Sequence, residues 1–222
     1  MPPSCSRDDF SSRGASVRAA LCLPGGVTRV PGVVVLHGCG GFNTFDHRLA
    51  VDLPRAGIAT LYVDYFDPTP APSRRGFCGA GPQLEGAFSV WAQEVVDAIA
   101  ALKRAPRVDR EHVGLVGWSL GGGLAVASAE ASAVKLQALV GFSTGAFGAV
   151  NGAANLPPTL LLSGGVHDAI PLASTEELYR ALRVARVPAT LYVYPGGVHQ
   201  WPGRQGAAGI AVAERFLHER LG

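Results

Sequence analysis

The 222-residue sequence is poor in charge and has no long apolar run. Only 16% of its residues are charged, 19 basic residues nearly balance 17 acidic ones, and no basic run is interleaved with aromatic side chains. This balance argues against nucleic acid or an anionic membrane as a partner and favours a small molecule. No stretch approaches the roughly 20 apolar residues that span a bilayer, and the first residues lack a signal peptide's apolar segment. We therefore expect a cytoplasmic protein.

The sequence also has few cysteines, and their spacing is irregular. The four are Cys5, Cys22, Cys39 and Cys78, and no Cys-x-x-Cys motif occurs. A chain of this length can bury a sizeable core without disulfides, so we predict free thiols and one domain over residues 1–222. No spacing of histidines and carboxylates is typical of a metal site, and we expect none.

What the sequence does have is a regular alternation of short apolar runs and amphipathic helical segments. The apolar runs predict parallel strands buried on both faces at 33–36, 60–63, 113–116, 136–142, 159–162 and 190–194. Helical periodicity covers 44–55, 88–103, 120–133, 172–186 and 207–220. This alternation predicts an α/β fold with a mostly parallel central sheet and helices on both faces.

Two further segments are assigned by their position and composition. Residues 17–23 are predicted to add an antiparallel strand at the edge of the sheet. Residues 67–83 are dense in Pro, Gly, Arg and Ser and predict a loop. Because the carboxyl ends of the strands form the site in open α/β sheets, this loop is a candidate wall of that site.

The segment Gly117-Trp118-Ser119-Leu120-Gly121 joins a predicted strand directly to a predicted helix. This pattern is typical of a nucleophile elbow, a strained turn that holds the serine hydroxyl out of the sheet. Glycine is needed at both flanks because a side chain would crowd the neighbouring strand or helix. We predict that Ser119 is a nucleophile; the alternative is an ordinary strand-to-helix turn.

An elbow serine needs a histidine to take its proton and an acid to orient that histidine. Asp168 follows the strand at 159–162, and His199 follows the strand at 190–194. The three candidates thus occur in the order Ser, acid, His, each at the carboxyl end of its own strand. Alternatively, Asp168 caps the helix that follows, or His199 is a loop residue without a catalytic role.

Two backbone N–H groups are expected to stabilise the oxyanion that forms during acyl transfer. One is that of Leu120, in the first turn of the helix after the elbow. The other is that of Cys39, with Gly40 the alternative, in the glycine-rich loop after the strand at 33–36. Cys39 is expected to act through its backbone rather than as a reactive thiol, and neighbouring His37 to form hydrogen bonds rather than to act as a base.

At these residues the chain resembles the α/β-hydrolase fold and, within it, the dienelactone hydrolase family. The resemblance covers residues 33–221 and includes an Asp-x-x-Pro turn at Asp168 and a Tyr-Pro-Gly-x-x-His approach to His199. It implies hydrolysis of a lactone or small carboxylic ester with no metal or cofactor. The best-known members have cysteine at the elbow, so Ser119 shifts the expectation toward a serine carboxylesterase on the same scaffold.

The resemblance also implies residues that bind substrate. Family members hold a substrate carboxylate with arginines, and by similarity Arg204 and Arg74, or Arg75, would do so here; the alternative is plain surface charge. Trp118 and Trp201 flank catalytic positions and are expected to be packing residues that could also line an apolar acyl pocket.

These observations favour a serine hydrolase that acts on a small ester or lactone through an acyl-serine intermediate. There are two alternatives. A small peptidase or amidase would use the same triad on a different substrate, and a protein with this fold but an inactive site would be a small-molecule binding module. The protein is expected to be a monomer or a homodimer.

Overall fold

The computed structural model describes residues 2–26, 28–67, 69, 76–79, 82–131, 134–147 and 151–222. The strands are β1 (Ser4–Arg7), β2 (Phe10–Ser12), β3 (Ala15–Val17), β4 (Ala19–Leu23), β5 (Val30–Leu36), β6 (Ala59–Val63), β7 (Val108–Trp118), β8 (Ala138–Phe142), β9 (Thr159–Ser163) and β10 (Ala189–Val193). The helices are α1 (Thr44–Arg55), α2 (Pro82–Arg104), α3 (Leu120–Ala131), α4 (Leu172–Val184) and α5 (Gly203–Leu221), with a 3₁₀ turn at Ala153–Asn155. No helix in these ranges is both long and apolar enough to cross a membrane.

The central sheet has eight strands in the order β1-β4-β6-β5-β7-β8-β9-β10. Strands β5 to β10 are parallel, whereas β4 pairs antiparallel with β6 and β1 antiparallel with β4. From β5 the chain first moves to β6 on one side and then crosses through α2 to β7 on the other. The loops that follow β5 and β7 therefore lie side by side at the point where the strand order reverses, which is where open α/β sheets place their sites.

The core lies on both faces of this sheet because successive residues of a strand point to opposite sides. Val33 and Val35 of β5 pack with α1 and α5, while Val34 and Leu36 pack with the helices of the other face, α2, α3 and α4. All four side chains are fully buried. The predicted α/β class, with helices on both faces of a mostly parallel sheet, is thus confirmed.

Three details of the sheet and helices differ from the sequence prediction. The antiparallel strand at 17–23 is not the edge strand, because β1, whose polar residues show no apolar pattern, pairs outside it. Strand β10 forms the opposite edge and is only half-buried, although its sequence predicted burial on both faces. Helix α2 begins at Pro82, six residues before the predicted start at 88. Proline suits this position, because the N–H groups in the first turn of a helix have no carbonyl partner within the helix.

The prediction of free thiols is wrong for all four cysteines. Cys5 and Cys22 are paired residues of β1 and β4, with Cα atoms 4.0 Å apart, and they form a disulfide. Cys39 and Cys78 form a second one, with Cα atoms 4.9 Å apart. Folding creates both contacts, so the spacing of the cysteines along the chain gave no indication of them.

Two residues of α4 test the assignment of its buried face. We expect Leu182→Ala, at a fully buried site, to lower the free energy of unfolding by about 2–5 kcal/mol, since it removes packed methyl groups and leaves a cavity. Val184→Ala, on the same helix but 85% exposed, is the control and should change it by less than about 0.5 kcal/mol. Urea unfolding measures both; equal losses would contradict the assignment.

Candidate active site

Ser119 lies between the last residue of β7 and the first of α3, in the left-handed region at φ 56°. Such a conformation costs about 1–3 kcal/mol for a residue other than glycine and persists only where the surroundings enforce it. A Cβ atom at Gly117 would lie 2.3 Å from the carbonyl oxygen of Gly121, and one at Gly121 would lie 2.4 Å from the carbonyl oxygen of Leu36. Close backbone packing on both sides therefore requires the two glycines, as the sequence predicted.

The structure brings Ser119, His199 and Asp168 together from three different loops. The Nε2 atom of His199 lies 3.0 Å from Oγ of Ser119, and its Nδ1 atom lies 2.7 Å from Oδ1 of Asp168. The side chain of Asp168 is fully buried, and that of His199 is 13% exposed. With its proton on Nδ1, the imidazole donates to Asp168 and leaves Nε2 free to accept the serine proton. This geometry would allow Ser119 to act as a nucleophile, His199 as its base and Asp168 as the acid that orients the base.

Asp168 is kept ionised at this buried position by the donors around it. Burial alone would raise the pKa of the carboxyl, but hydrogen bonds from His199, Ser143 and two backbone N–H groups outweigh it and lower the pKa. The two N–H groups are those of Gly164, 2.8 Å from Oδ2, and Ile170, 3.1 Å from Oδ1. A carboxylate with this many donors can stabilise a charged imidazolium without taking its proton.

Ser143 supports the triad and was not predicted. Its hydroxyl donates to Oδ2 of Asp168 and accepts from the indole Nε1 of Trp201 at 2.7 Å. It follows β8 directly, so it stands at the carboxyl end of a parallel strand like the triad residues. That position was the signal that could have revealed it.

The loop that bears His199 is held on both sides. The indole N–H of Trp118 donates to the carbonyl oxygen of His199 at 2.9 Å. The side-chain amide of Gln205 bridges both backbone groups of Val198, at 3.0 and 2.8 Å. Gln205 was not predicted either, because a glutamine in the first turn of a helix carries no signal of such a contact.

The oxyanion loop, residues 37–42, follows β5 and lies beside the elbow. Among the described residues, the N–H groups of Leu120 and Cys39 have no hydrogen-bond partner. The N–H of Leu120 is at the start of α3, where the helix dipole favours negative charge. His37 is buried in the same loop, with Nδ1 2.8 Å from the carbonyl oxygen of Gly38 and Nε2 3.6 Å from Oδ1 of Asp64, and its side chain forms no hydrogen bond to Ser119 or Asp168.

Of the residues predicted to bind substrate, Trp118 lies at the triad, with its ring centroid 5.1 Å from that of His199. Arg74 and Arg75 lie outside the described residues. Arg204 is exposed in the first turn of α5. Trp118 is buried, and its ring fills the space that a Cβ atom at Gly38 would occupy. In the described ranges, no three His, Cys, Asp or Glu side chains form a group that could hold a metal ion.

The chain is similar in sequence to known proteins. A family model described as the dienelactone hydrolase family matches residues 17–215. A curated protein of Bradyrhizobium sp., named "Probable 2-oxo-3-(5-oxofuran-2-ylidene)propanoate lactonase", is 28% identical over 135 residues, which make up 60% of this chain and 54% of that protein. The match thus spans about half the length of that curated relative.

Solved structures show the same fold at low sequence identity. A dienelactone hydrolase-like promiscuous phosphotriesterase from metagenomic libraries superposes over 100% of both chains, with a TM-score of 0.86 and 19% identity. A thermostable esterase of Pseudomonas putida superposes over 99% of this chain and 84% of that chain, with a TM-score of 0.79 and 19% identity. The α/β-hydrolase fold expected from the sequence is therefore confirmed.

The lowered pKa of Asp168 predicts how the stability effect of Ser143→Ala varies with pH. The ionised carboxylate stabilises the fold above its ordinary pKa of 3.8, and this stabilisation is lost as the pH falls through the lowered value. Ser143→Ala removes one donor to the carboxylate. The cost of Ser143→Ala in free energy of unfolding, about 1.5–3 kcal/mol near neutral pH, should therefore shrink as the pH falls below 3.8 and through the lowered pKa of Asp168.

Urea unfolding at several pH values measures this effect. Ser128→Ala is the matched control, because Ser128 is also buried but donates to the carbonyl oxygen of Ala92, which does not titrate. Its cost should not vary with pH. A cost of Ser143→Ala that is the same at neutral and acidic pH would contradict the account of Asp168.

Proposed function

The chain belongs to the dienelactone hydrolase family, and we propose that it is a serine hydrolase that cleaves a small carboxylic ester or lactone. The observation that carries this proposal is the hydrogen-bonded series from Oγ of Ser119 through the imidazole of His199 to Asp168, at 3.0 and 2.7 Å. These distances are within the reach that proton transfer from a nucleophile to its base requires.

In the first half of the proposed reaction, Oγ of Ser119 attacks the substrate carbonyl carbon while Nε2 of His199 takes its proton. The carbonyl oxygen becomes an oxyanion and accepts hydrogen bonds from the N–H groups of Leu120 and Cys39. When the tetrahedral intermediate collapses, the imidazolium gives its proton to the departing alkoxide. The products of this half are an acyl-serine and an alcohol, which stays tethered to the acyl group if the substrate is a lactone.

In the second half, water takes the place of the alcohol. His199 removes a proton from the water as its oxygen attacks the acyl carbon, and the same two N–H groups stabilise the second oxyanion. Collapse releases the carboxylic acid and returns the proton to Ser119. Throughout both halves Asp168 holds the imidazole in one orientation and stabilises its charged form.

The ester or lactone class is favoured by the names of the relatives, which include a lactonase and an esterase. The peptidase or amidase and the inactive binding module differ in measurable ways: the first would prefer an amide over an ester, and the second would turn over neither.

The cytoplasmic location stays a prediction. Disulfide bonds such as the two in this structure persist better in oxidising compartments.

Removal of the serine hydroxyl tests the proposal. We expect Ser119→Ala to lower kcat for p-nitrophenyl acetate and dihydrocoumarin on the order of 10⁶-fold, because the hydroxyl that forms the acyl intermediate is removed. Ser128→Ala, the same change at a buried serine on α3, should keep its activity. Initial rates, with circular dichroism to verify folding, measure both.

Two outcomes would count against the proposal. Full activity in Ser119→Ala would remove the serine mechanism. Faster hydrolysis of p-nitroacetanilide than of p-nitrophenyl acetate by the wild type would move the function to an amidase.

A further inference from the structure

The disulfide between Cys39 and Cys78 plays no part in the reaction proposed above, yet it ends on a residue of the oxyanion loop. It joins positions 39 residues apart in the sequence. Its other end belongs to residues 76–79, here called the clamp segment. The bond therefore connects the backbone that carries one proposed oxyanion donor to a separate part of the chain.

The contacts that the oxyanion loop makes within itself meet at the carbonyl oxygen of Gly38, 3.1 Å from the backbone N of Gly41 and 2.8 Å from Nδ1 of His37, and Cys39 takes part in neither. Cys39 is flanked by Gly38 on one side and by Gly40 and Gly41 on the other, so it is the only residue between His37 and Phe42 that has a side chain. Glycine loses more conformational freedom on folding than any other residue. A donor must nevertheless stay within about 0.5 Å of its productive position. An outside restraint on Cys39 would meet that need.

The clamp segment is itself firmly anchored. Phe77 is 2% exposed, and its ring packs against those of Phe66 and Trp91, with centroids 4.7 and 4.5 Å away. The backbone N–H of Phe77 donates to the carbonyl oxygen of Cys39 at 2.7 Å. The backbone of Gly76 lies so close to this carbonyl oxygen of Cys39 that a Cβ atom at Gly76 would be 2.3 Å from it. Cys39 is thus held at its carbonyl oxygen and at its sulfur.

We propose that the Cys39–Cys78 disulfide is a reducible clamp on the oxyanion hole, with Cys78 acting as a positioning residue for the donor N–H of Cys39. The inference rests on the proposed serine hydrolase function. With the bond intact, the N–H is held where the oxyanion forms. With the bond reduced, the glycine-rich loop regains freedom, and the transition state loses part of its stabilisation.

The chemistry of release is thiol–disulfide exchange. A thiolate of a dithiol attacks one sulfur and forms a mixed disulfide, and its second thiol then displaces the remaining cysteine. Cys39 and Cys78 end as two thiols, and the dithiol ends as a cyclic disulfide. Cys78 is exposed and Cys39 partly exposed, so a reductant can reach the bond without unfolding the protein.

The test compares kcat and KM for p-nitrophenyl acetate before and after treatment with dithiothreitol, with thiols counted by alkylation and intact mass. We expect kcat to fall by about tenfold or more, short of the 10²–10³-fold that loss of a whole donor costs. KM should change little, because the oxyanion exists only in the transition state. Reoxidation should restore kcat.

The second disulfide provides a matched control. Cys5 and Cys22 join β1 to β4 at the edge of the sheet, and strands β6 and β5 separate β4 from β7. The double variant Cys5→Ser/Cys22→Ser should retain wild-type kcat and the same loss on reduction. The double variant Cys39→Ser/Cys78→Ser should show the lowered kcat from the start and no further change with dithiothreitol.

The possible failures can be told apart. If the oxidised wild type has no Ser119-dependent hydrolysis, the proposed function fails and the clamp with it. If hydrolysis depends on Ser119 but Cys39→Ser/Cys78→Ser keeps wild-type kcat, only the clamp is overturned. A rise in KM at constant kcat would also overturn it, since the clamp segment would then shape substrate binding rather than the oxyanion hole.

Discussion

The site depends on one backbone constraint, the left-handed conformation of Ser119 between β7 and α3. That conformation turns the chain sharply enough for the hydroxyl to leave the sheet and for the next N–H to begin a helix. It survives because Gly117 and Gly121 allow backbone to pack against backbone at distances that a Cβ atom would forbid. The same packing seats the start of α3 against the end of β5, where the oxyanion loop begins.

The site also requires that the carboxylate of Asp168 stay ionised although it is buried. The side chain of Asp168 is fully buried, and donors from the loops after β8, β9 and β10 hold its carboxylate. Because these loops follow neighbouring parallel strands, the sheet itself brings the donors together. Ser143 also accepts from Trp201, and Trp118 holds the backbone of His199, so the tryptophans beside the catalytic positions fix the geometry of the triad.

The features that could be predicted from the sequence were those that depend on a local pattern of residues. Apolar runs located the parallel strands, and position after a strand located Ser119, Asp168 and His199. Contacts made only by folding were not predictable: the polar strand β1 outside β4, the edge position of β10, and both disulfides. Gln205 illustrates the same limit, because its bridge to Val198 has no sequence signature. The sequence thus predicted the positions of the three candidate catalytic side chains better than the contacts that hold them in place.

The most direct test of the central claim, an activated serine at the elbow, is intact-mass spectrometry after brief exposure to a fluorophosphonate. The account predicts a single adduct on the wild type, located on the peptide that contains Ser119, and no adduct on a folded Ser119→Ala protein. An unlabelled wild type, or an adduct that persists in Ser119→Ala, would contradict it. In the first case the fold would be that of a binding module, and in the second the nucleophile would be another residue.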